Sequence, residues 1–260
     1  MQNYMRPKKS LGQHFLKDKG IAQRIVQSLS PSSVNVLEVG PGTGALTGFL
    51  LQRPDTNLYA VEVDGESIVH LNQYYPQLIP HLINDDFLEL DLSKVFNGEL
   101  FSAIGNFPYN ISSQIFFKVI KYKDKIPEVV GMVQKEVAER MVAAHGNKTY
   151  GILSVLLQRW YNIEYLFTVH ENVFVPPPKV KSAVVRLTRN QTMEMDCNEA
   201  LFVKVVKTTF NQRRKTIRNS LKPLLEDKTL EHEFMVMRPE QLSIAQFAEL
   251  TRCVEQVMKE

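Results

Sequence analysis

The sequence has few cysteines and no long apolar run, and each absence excludes a class of protein. Its two cysteines, Cys197 and Cys253, are too few for a disulfide framework, and neither belongs to a Cys-x-x-Cys pair. We therefore expect no metal site. No stretch is long and apolar enough to cross a bilayer, and the charged N-terminal segment lacks the apolar centre of a signal peptide. These absences favour a cytoplasmic protein with reduced thiols and no membrane partner.

The chain also lacks a strong excess of charge of either sign. Its 31 Lys and Arg residues against 28 Asp and Glu give a formal net charge of +3 at pH 7. This total permits a nucleic-acid partner without requiring one, so the distribution of the charges matters more than their sum. A composition of 44% hydrophobic and 23% charged residues is ordinary for a globular protein, and no internal repeat is evident.

Short apolar runs alternate with amphipathic stretches from residue 34 onward. Five runs have the length of β-strands: "VNVLEV", "NLYAVEV", "HLIND", "LFSAIGN" and "EVVGMVQ". The stretches "ALTGFLLQR" and "SSQIFFKVIKY", which follow the first and fourth runs, have the apolar spacing of helices. Repeated β-α units of this kind predict an α/β fold with a doubly wound, mostly parallel sheet.

The pattern changes in the second half of the chain. Two strand-like runs, "NIEYLFTV" and "KSAVVRLTR", are joined by a proline loop that is too short for a crossover helix, so we expect an antiparallel pair at one end of the sheet. Beyond about residue 190 the strand signal disappears and amphipathic helices follow. The sequence therefore predicts two domains: an α/β domain over residues 1–189 and a small all-helical domain over residues 190–260.

A glycine-rich turn connects the first strand to the helix after it in "VLEVGPGTGALT". Gly40, Gly42 and Gly44 let the backbone turn tightly and let a ligand lie against the main chain, because a Cβ atom would block that approach. Glu62 ends the second strand, where an acid accepts hydrogen bonds from ribose hydroxyls. Strand, loop, helix and acid in this order predict a site for a ligand that carries a nucleoside.

The identity of that ligand stays open at this level. Gly40, Gly42 and Ala45 satisfy the G-x-G-x-x-G/A fingerprint of dinucleotide-binding proteins, which keeps NAD as a candidate. The segment "EVGPGTG" resembles the first motif of class I S-adenosylmethionine methyltransferases, which have a Rossmann-like fold. The third strand ends in "INDDF", where Asp85 or Asp86 is placed to accept an adenine amino group.

The segment "IGNFPYNIS" places an amide, a proline and a phenol ring at the end of the fourth strand. An exocyclic adenine nitrogen is a poor nucleophile, and two acceptors on its N–H groups favour the pyramidal geometry that attack on a methyl sulfonium requires. Asn106 offers one acceptor, the backbone of Phe107 or Pro108 offers the second, and Tyr109 offers a face for stacking the base. Pro108 also biases Phe107 toward an extended conformation.

Taken together, the motifs resemble the ribosomal RNA adenine N6,N6-dimethyltransferase family of the KsgA type. They run in order over nearly the whole chain: "SLGQHFL", "LEVGPGTGALT", "VEVD", "NDDFL", "IGNFPYNIS", "VFVPPPKVKSAVV" and "TFNQRRKTIRNSL". The resemblance implies that the protein dimethylates two adjacent adenosines in a hairpin loop near the 3′ end of small-subunit (16S) ribosomal RNA. It further implies a pre-ribosomal particle as the substrate and a monomeric enzyme with a role in ribosome biogenesis.

The resemblance also implies which residues bind S-adenosylmethionine. By motif position they are His14, Leu16, Gly40, Gly42, Glu62, Asp86 and Asn106. His14 and Leu16 would line the pocket from the N-terminal arm, and Gly40 would contact the methionine part of the cofactor. Glu62 would hold the ribose and Asp86 the adenine amino group.

On the target side, the resemblance implies catalytic roles for Asn106, Pro108, Tyr109 and Phe174. Asn106 would bridge the cofactor and the target amine. Phe174 would be the second aromatic residue that sandwiches the target base with Tyr109, held at the pocket rim by the proline run after it. The sequence departs from the family at Phe107, where Leu is usual, and a role through the backbone makes that departure minor.

A basic segment between residues 199 and 226 predicts an RNA-binding surface. It contains seven cations and no acid between its end residues: Lys204, Lys207, Arg213, Arg214, Lys215, Arg218 and Lys222. A solubilising helix face normally carries compensating acids, so phosphate binding is favoured here.

Three alternatives to this interpretation remain at the sequence level. An NAD-dependent oxidoreductase would leave "NFPY" and the basic segment unexplained. A catalytically silent RNA-binding assembly factor would keep the fold and the basic surface, but an intact Asn-x-Pro-Tyr argues against lost chemistry. The Erm-type large-subunit RNA methyltransferases share the core motifs, and "FNQRRKTIRN" favours the small-subunit enzyme over them.

Overall fold

The computed structural model describes residues 7–8, 11–191 and 196–259. The chain divides into two compact units. The larger unit comprises residues 1–138 and 162–189, and the smaller one comprises residues 139–161 and 190–260.

Nine strands are present among the described residues. They are β1 (Phe15–Leu16), β2 (Asn35–Val39), β3 (Asn57–Glu62), β4 (Leu82–Asn84), β5 (Ser102–Asn106), β6 (Glu128–Gln134), β7 (Tyr161–Val169), β8 (Phe174–Val175) and β9 (Ser182–Arg189). Seven form one sheet in the order β4-β3-β2-β5-β6-β9-β7, and β1 pairs with β8 in a separate antiparallel ribbon. Strands β2 to β6 are mutually parallel, whereas β9 runs antiparallel to β6.

The central strands are nearly continuous apolar runs because a parallel sheet is covered on both faces. Val36 and Leu37 of β2, Ile104 of β5, and Val129 and Val130 of β6 have no exposed surface. The strand order reverses between β2 and β5, which are direct neighbours. In open α/β sheets, ligands bind beyond the carboxyl ends of the strands at such a reversal.

Nine α-helices connect or follow the strands in the described part of the chain. They are α1 (Lys19–Gln27), α2 (Thr47–Leu50), α3 (Gly65–Tyr74), α4 (Ser112–Lys121), α5 (Lys135–Val142), α6 (Ile152–Trp160), α7 (Glu199–Asn211), α8 (Ile217–Leu225) and α9 (Ile244–Lys259). The amphipathic stretch after β2 forms only the single turn α2, whereas the stretch after β5 forms α4 at its predicted position.

The smaller unit is built from helices that share one core. Helix α6 packs against α7 and α9, and α7 also packs against α8. Aromatic rings fill this core: Trp160 meets Phe202 edge-on at 6.2 Å between ring centroids, and Phe210 lies 5.8 Å from Phe247. Residues 139–161 thus belong with the C-terminal helices, although the sequence pattern suggested one α/β domain over residues 1–189.

The predicted fold class is confirmed by this architecture. A mostly parallel sheet carries β9 and β7 at one end, and the smaller unit is helical, as the sequence indicated. The ribbon of β1 and β8 was not predicted. Within the ranges described above, no helix is long and apolar enough to cross a membrane, and no group of three metal-binding side chains occurs.

Candidate active site

A cavity of about 280 Å³ lies beyond the carboxyl ends of β2, β3, β4 and β5. Its lining comes from five parts of the larger unit, within residues 11–16, 38–46, 61–63, 85–88 and 106–115. All seven residues that were predicted to bind the cofactor line this cavity: His14, Leu16, Gly40, Gly42, Glu62, Asp86 and Asn106. The cavity thus brings together residues that are more than 90 positions apart in the chain.

The glycine turn and Glu62 are joined by hydrogen bonds at the floor of this cavity. The Gly42 amide donates to Glu62 Oε2 at 3.0 Å, and the amides of Val63 and Asp64 donate to Oε1 at 3.0 and 2.9 Å. Gly42 has φ +55°, and a Cβ atom there would lie 3.0 Å from the Phe15 ring. Burial raises the pKa of the Glu62 carboxyl, and the three N–H bonds oppose that effect.

A second carboxyl, Glu38, lies under the glycine turn at the end of β2. It is 1% exposed and accepts a hydrogen bond from the Thr47 hydroxyl at 2.7 Å. Burial raises the pKa of Glu38 to about 8. The hydrogen bond from Thr47 opposes this rise, and the charge of Glu62 adds to it. Glu38 is therefore mostly protonated at neutral pH.

Asn106 projects from the end of β5 with its amide held in one orientation. Its Nδ2 atom donates to the His14 carbonyl oxygen at 2.9 Å, so the side-chain carbonyl oxygen is left without a hydrogen bond from the described residues. The next amide, that of Phe107, donates to Met132 O at 3.0 Å, whereas the described residues donate no hydrogen bond to the Phe107 carbonyl. The Pro108 carbonyl accepts from Ile111 N at 3.3 Å. Two acceptors, Asn106 Oδ1 and Phe107 O, thus remain available at adjacent positions.

Tyr109 and His14 form a ring pair at the cavity wall. Their ring centroids are 5.4 Å apart with planes at 29°. The Tyr109 hydroxyl hydrogen-bonds Ser182 Oγ of β9 at 2.5 Å, and His14 Nδ1 lies 2.8 Å from the Pro176 carbonyl oxygen. Burial raises the pKa of Tyr109, and the Ser182 bond opposes it. Both rings are fixed by contacts outside the cavity.

The N-terminal arm is anchored to Asp64, a residue that sequence reasoning did not single out. Lys8 Nζ donates to Asp64 Oδ1 at 2.5 Å, and Gln13 Nε2 and Ser67 Oγ donate to Oδ2 at 3.2 and 2.9 Å. Burial opposes ionisation of Asp64, but these donors outweigh it and hold the pKa below its ordinary value. The only sequence signal was the position of Asp64 two residues after Glu62.

Phe174 is the one residue, of those predicted to bind the cofactor or the target base, that does not line the cavity. Its ring is 1% exposed and belongs to the hydrophobic core, whereas its neighbour Val175 is 40% exposed. Side chains of a strand alternate between its faces, and pairing of Phe174 with Leu16 in the β1–β8 ribbon directs the ring inward. The expectation of an aromatic platform at the rim is therefore corrected.

The predicted RNA-binding cations fall into two groups in the smaller unit. Lys204, Lys207, Arg214, Lys215 and Lys222 are exposed. Arg218 forms a two-pronged ion pair with Glu231 at 3.2 and 3.1 Å, an acid from outside the basic segment. The basic segment itself contains no acid to pair with Arg218, and Glu231, which lies outside the segment, provides that negative charge.

Arg213 is also tied to other parts of the smaller unit. Its guanidinium donates to the Lys148 carbonyl and lies 3.9 Å from Glu240. The loop that contains Lys148 therefore lies next to the turn between α7 and α8, which carries Arg213. Lys148 itself is exposed. No pattern in the sequence placed this lysine near the basic segment.

Comparison with known proteins identifies the family. The profile of the family "Ribosomal RNA adenine dimethylase" matches residues 5–256. This chain belongs to that family. A relative from Parabacteroides distasonis, named "Ribosomal RNA small subunit methyltransferase A", is 61% identical over 250 residues, covering 95% of this chain and 93% of the relative. One of the same name from Flavobacterium johnsoniae is 53% identical, covering 96% and 97%.

Two solved structures have the same fold. A dimethyladenosine transferase from Plasmodium falciparum superimposes with a TM-score of 0.71 at 25% identity, over 91% of this chain and 96% of that one. The 23S rRNA methyltransferase ErmE has a TM-score of 0.63, also at 25% identity, over 93% and 100%. Membership of an adenine dimethylase family makes the oxidoreductase alternative wrong and confirms that the chain is a ribosomal RNA methyltransferase.

Proposed function

We propose that this protein dimethylates N6 of two adjacent adenosines in a hairpin loop near the 3′ end of small-subunit ribosomal RNA, with S-adenosylmethionine as the methyl donor. The observation that carries the proposal is that one cavity contains both the glycine turn with Glu62 and the free acceptors of Asn106 and Phe107. The first set suits a nucleoside cofactor and the second an exocyclic amine. The relatives' names support the small subunit as the target.

The cofactor half of the cavity is assigned to the residues around the glycine turn. When bound, S-adenosylmethionine supplies an electrophilic methyl group. Gly40 and Gly42 let the methionine end lie against the main chain, and the Glu62 carboxylate, which can accept about four hydrogen bonds, has capacity for about one ribose hydroxyl beyond its three N–H donors. Asp86 accepts from the adenine amino group, and His14 and Leu16 close the cavity from the arm.

The target half depends on Asn106 and its neighbour. Asn106 Oδ1 and Phe107 O accept hydrogen bonds from the two N–H groups of the adenine amine. These two bonds favour a pyramidal nitrogen, whose lone pair is withdrawn from the ring and directed at the methyl carbon. The Asn106 side chain does this with its own Nδ2 group fixed on His14 O. Tyr109 supports the base by stacking. Because the methylated nitrogen is cationic, it loses its proton readily, and an amide suffices where a general base is absent.

The remaining assignments concern the substrate and the state of the enzyme. The exposed cations of the smaller unit bind RNA phosphates, and the target is presented in a pre-ribosomal particle. The protein acts as a monomer in the cytoplasm, with the larger unit as the methyl-transfer part and the smaller unit, which includes residues 139–161, as the RNA-binding part. Each lost phosphate contact weakens binding and its salt dependence.

Two alternatives within the same fold lead to different outcomes. An Erm-type enzyme would modify large-subunit RNA, and the likeness to ErmE at 25% identity is the observation in its favour. A silent assembly factor would bind particles without methylating them, and membership of an adenine dimethylase family argues against it. Relatives at 61% and 53% identity that are named for the small subunit favour the proposed target.

The experiment that tests the proposal measures cofactor and target separately. Calorimetry with S-adenosylmethionine and with NAD should show binding of the first alone, and Glu62→Ala should weaken it because charged hydrogen bonds, about 1.5–3 kcal/mol each, are lost. Unmethylated small- and large-subunit particles are then incubated with enzyme and cofactor, and their nucleosides are analysed by mass spectrometry. N6,N6-dimethyladenosine in large-subunit RNA alone, or in neither, would contradict the proposal.

A further inference from the structure

The loop that follows β4 forms one wall of the cavity. Asp85, Asp86, Phe87 and Leu88 all line it. The loop is closed on itself, because Asp86 Oδ1 accepts from the Leu88 amide at 2.8 Å and the Asp86 carbonyl accepts from the Leu90 amide at 2.9 Å. The second carboxylate oxygen of Asp86 receives no hydrogen bond from the described residues. The loop thus presents an acceptor whose position depends on the backbone of residues 86–90.

A lysine from a different element holds that backbone. Lys118 of α4 is half-buried, and its Nζ atom donates to the Leu88 carbonyl at 2.8 Å and also to the Leu90 carbonyl. The same ammonium lies 5.5 Å from the centroid of the Phe87 ring. Lys118 does not itself line the cavity. Any effect on a bound ligand must therefore pass through the loop.

The charges around Lys118 match this role. Burial lowers the pKa of its ammonium, as does Lys121, whereas Glu89, Asp86 and Asp85 oppose the shift. The ammonium thus lies near the three acids of the loop and offsets part of their negative charge. Its hydrogen bonds go to backbone carbonyls, so it does not take up the carboxylate oxygens.

We propose that Lys118 is a positioning residue for nucleobase recognition. By holding the carbonyls of Leu88 and Leu90, it fixes the loop in the conformation in which Asp86 meets the exocyclic amino group of the cofactor's adenine. This inference rests on the proposed function, in which Asp86 binds that amino group. It predicts that loss of Lys118 impairs the distinction between adenine and a base without the amino group, beyond any general loss of affinity.

The test compares two ligands that differ at that group and at the neighbouring ring nitrogen N1, which carries a proton in the oxo base. S-adenosyl-L-homocysteine and S-inosyl-L-homocysteine, in which oxygen replaces the amino group, are titrated calorimetrically into the full chain. The wild type should prefer the adenosyl ligand, and Lys118→Met should reduce that preference about tenfold. Lys118→Arg should restore it, because a guanidinium also donates to two carbonyls. Lys121→Met is the matched control: it removes a cation from the same helix without removing a bond to the loop.

Each outcome decides one claim. A wild type that does not bind S-adenosyl-L-homocysteine contradicts the proposed function, and the inference falls with it. A wild type that binds both ligands equally overturns the role of Asp86 on which Lys118 acts. An unchanged preference in Lys118→Met overturns the inference alone. Equal loss of both ligands together with a lower melting temperature would make Lys118 a merely structural residue and would overturn it too.

Discussion

At the residue scale, Glu38 is a buried acid of β2, close in sequence to the glycine turn. Its carboxyl is 1% exposed and meets the Thr47 hydroxyl at 2.7 Å. No cation pairs with it in the described structure. A lone buried carboxylate is costly, so the neutral form is favoured and the pKa rises from 4.5 to about 8.

The stability of the protein should therefore fall as the pH rises through this range. Between pH 4.5 and about 8 the folded state holds a proton on Glu38 that the unfolded state has released, so the free energy of unfolding decreases with pH, by at most about 1.4 kcal/mol per unit for one proton. Glu38→Gln removes this titration and should be less sensitive to pH. Denaturant unfolding of both proteins from pH 5 to 8 checks this, and parallel curves would contradict it.

The burial of Phe174 is a second lesson at this scale. The motif "VFVPPPK" located the residue correctly in the sequence, but which way its ring points depends on the register of a ribbon only two residues long. A strand of two residues has no periodicity to read. The assignment of Leu16 to the cavity, from the other strand of the same ribbon, agrees with the lining of the cavity.

At the scale of elements, the end of β5 is shaped by two glycines that face each other across β5 and β6. Gly105 pairs with Gly131, and the Phe107 ring packs over both. A Cβ atom on Gly131 would lie 2.5 Å from that ring, and one on Gly105 would lie 2.6 Å from the Val39 carbonyl. The departure to Phe at position 107 is thus accommodated by this pair, because the ring fills the space that two side chains would occupy.

The stability effects of substitutions at Gly131 and Phe107 should depend on each other. Gly131→Ala should destabilise the protein by about 1–3 kcal/mol through overpacking against the ring. Gly131→Ala should also lower the rate of methyl transfer, because a shift of Phe107 also shifts its carbonyl oxygen, which is one of the two proposed acceptors for the target amine. In a Phe107→Leu background the cost of Gly131→Ala should be smaller, since Leu leaves room for the methyl group. Unfolding free energies of the four proteins in the cycle test this, and strict additivity would show that the two positions do not interact.

The basic turn between α7 and α8 is also an element-scale feature, and its cations differ in availability. Arg213 donates to the Lys148 carbonyl and Arg218 pairs with Glu231, whereas the exposed side chains of Arg214 and Lys215 form no ion pair or hydrogen bond with the described residues. A cation that already has a carboxylate partner gains less from a phosphate, because the first pair must be broken. The exposed pair should therefore carry more of the RNA affinity.

Salt titrations of particle binding can separate these groups. Replacing Arg214 and Lys215 by Gln should reduce the slope of log K against log salt by about 1.4–1.8, since each phosphate contact contributes about 0.7–0.9. Arg218→Gln serves as the paired control and should change the slope less. Affinity for S-adenosylmethionine should not change in either variant. Slopes equal to the wild type's would show that the turn is only a solvated surface.

At the scale of the whole molecule, the parallel sheet could be predicted because its strands are apolar on both faces. Each of the five runs from "VNVLEV" to "EVVGMVQ" became a parallel strand, and the glycine turn, Glu62 and Asn106 then had to meet at one edge. That geometry follows from the order of the strands. The placement in one cavity of the residues proposed to bind the cofactor could therefore largely be predicted from the sequence.

What the sequence did not show are contacts between distant segments. The anchoring of the arm on Asp64 and the donation of Asn106 Nδ2 to His14 O join residues 51 to 92 positions apart. Likewise, helix α6 lies between strands β6 and β7 in the sequence but packs against α7 and α9. Amphipathic spacing shows that a helix has an apolar face, but it does not show which partner covers that face.

The central claim is that Asn106, fixed by the arm, presents the target amine for two successive methylations. The most direct test is mass spectrometry of small-subunit RNA after incubation of unmethylated particles with S-adenosylmethionine and either wild type, Asn106→Ala or Asn57→Ala, an exposed control at the start of β3. Wild type and Asn57→Ala should give N6,N6-dimethyladenosine at equal rates. Asn106→Ala should be slower by about 100-fold or more while it still binds cofactor and particle. Near wild-type dimethylation by Asn106→Ala would contradict the account.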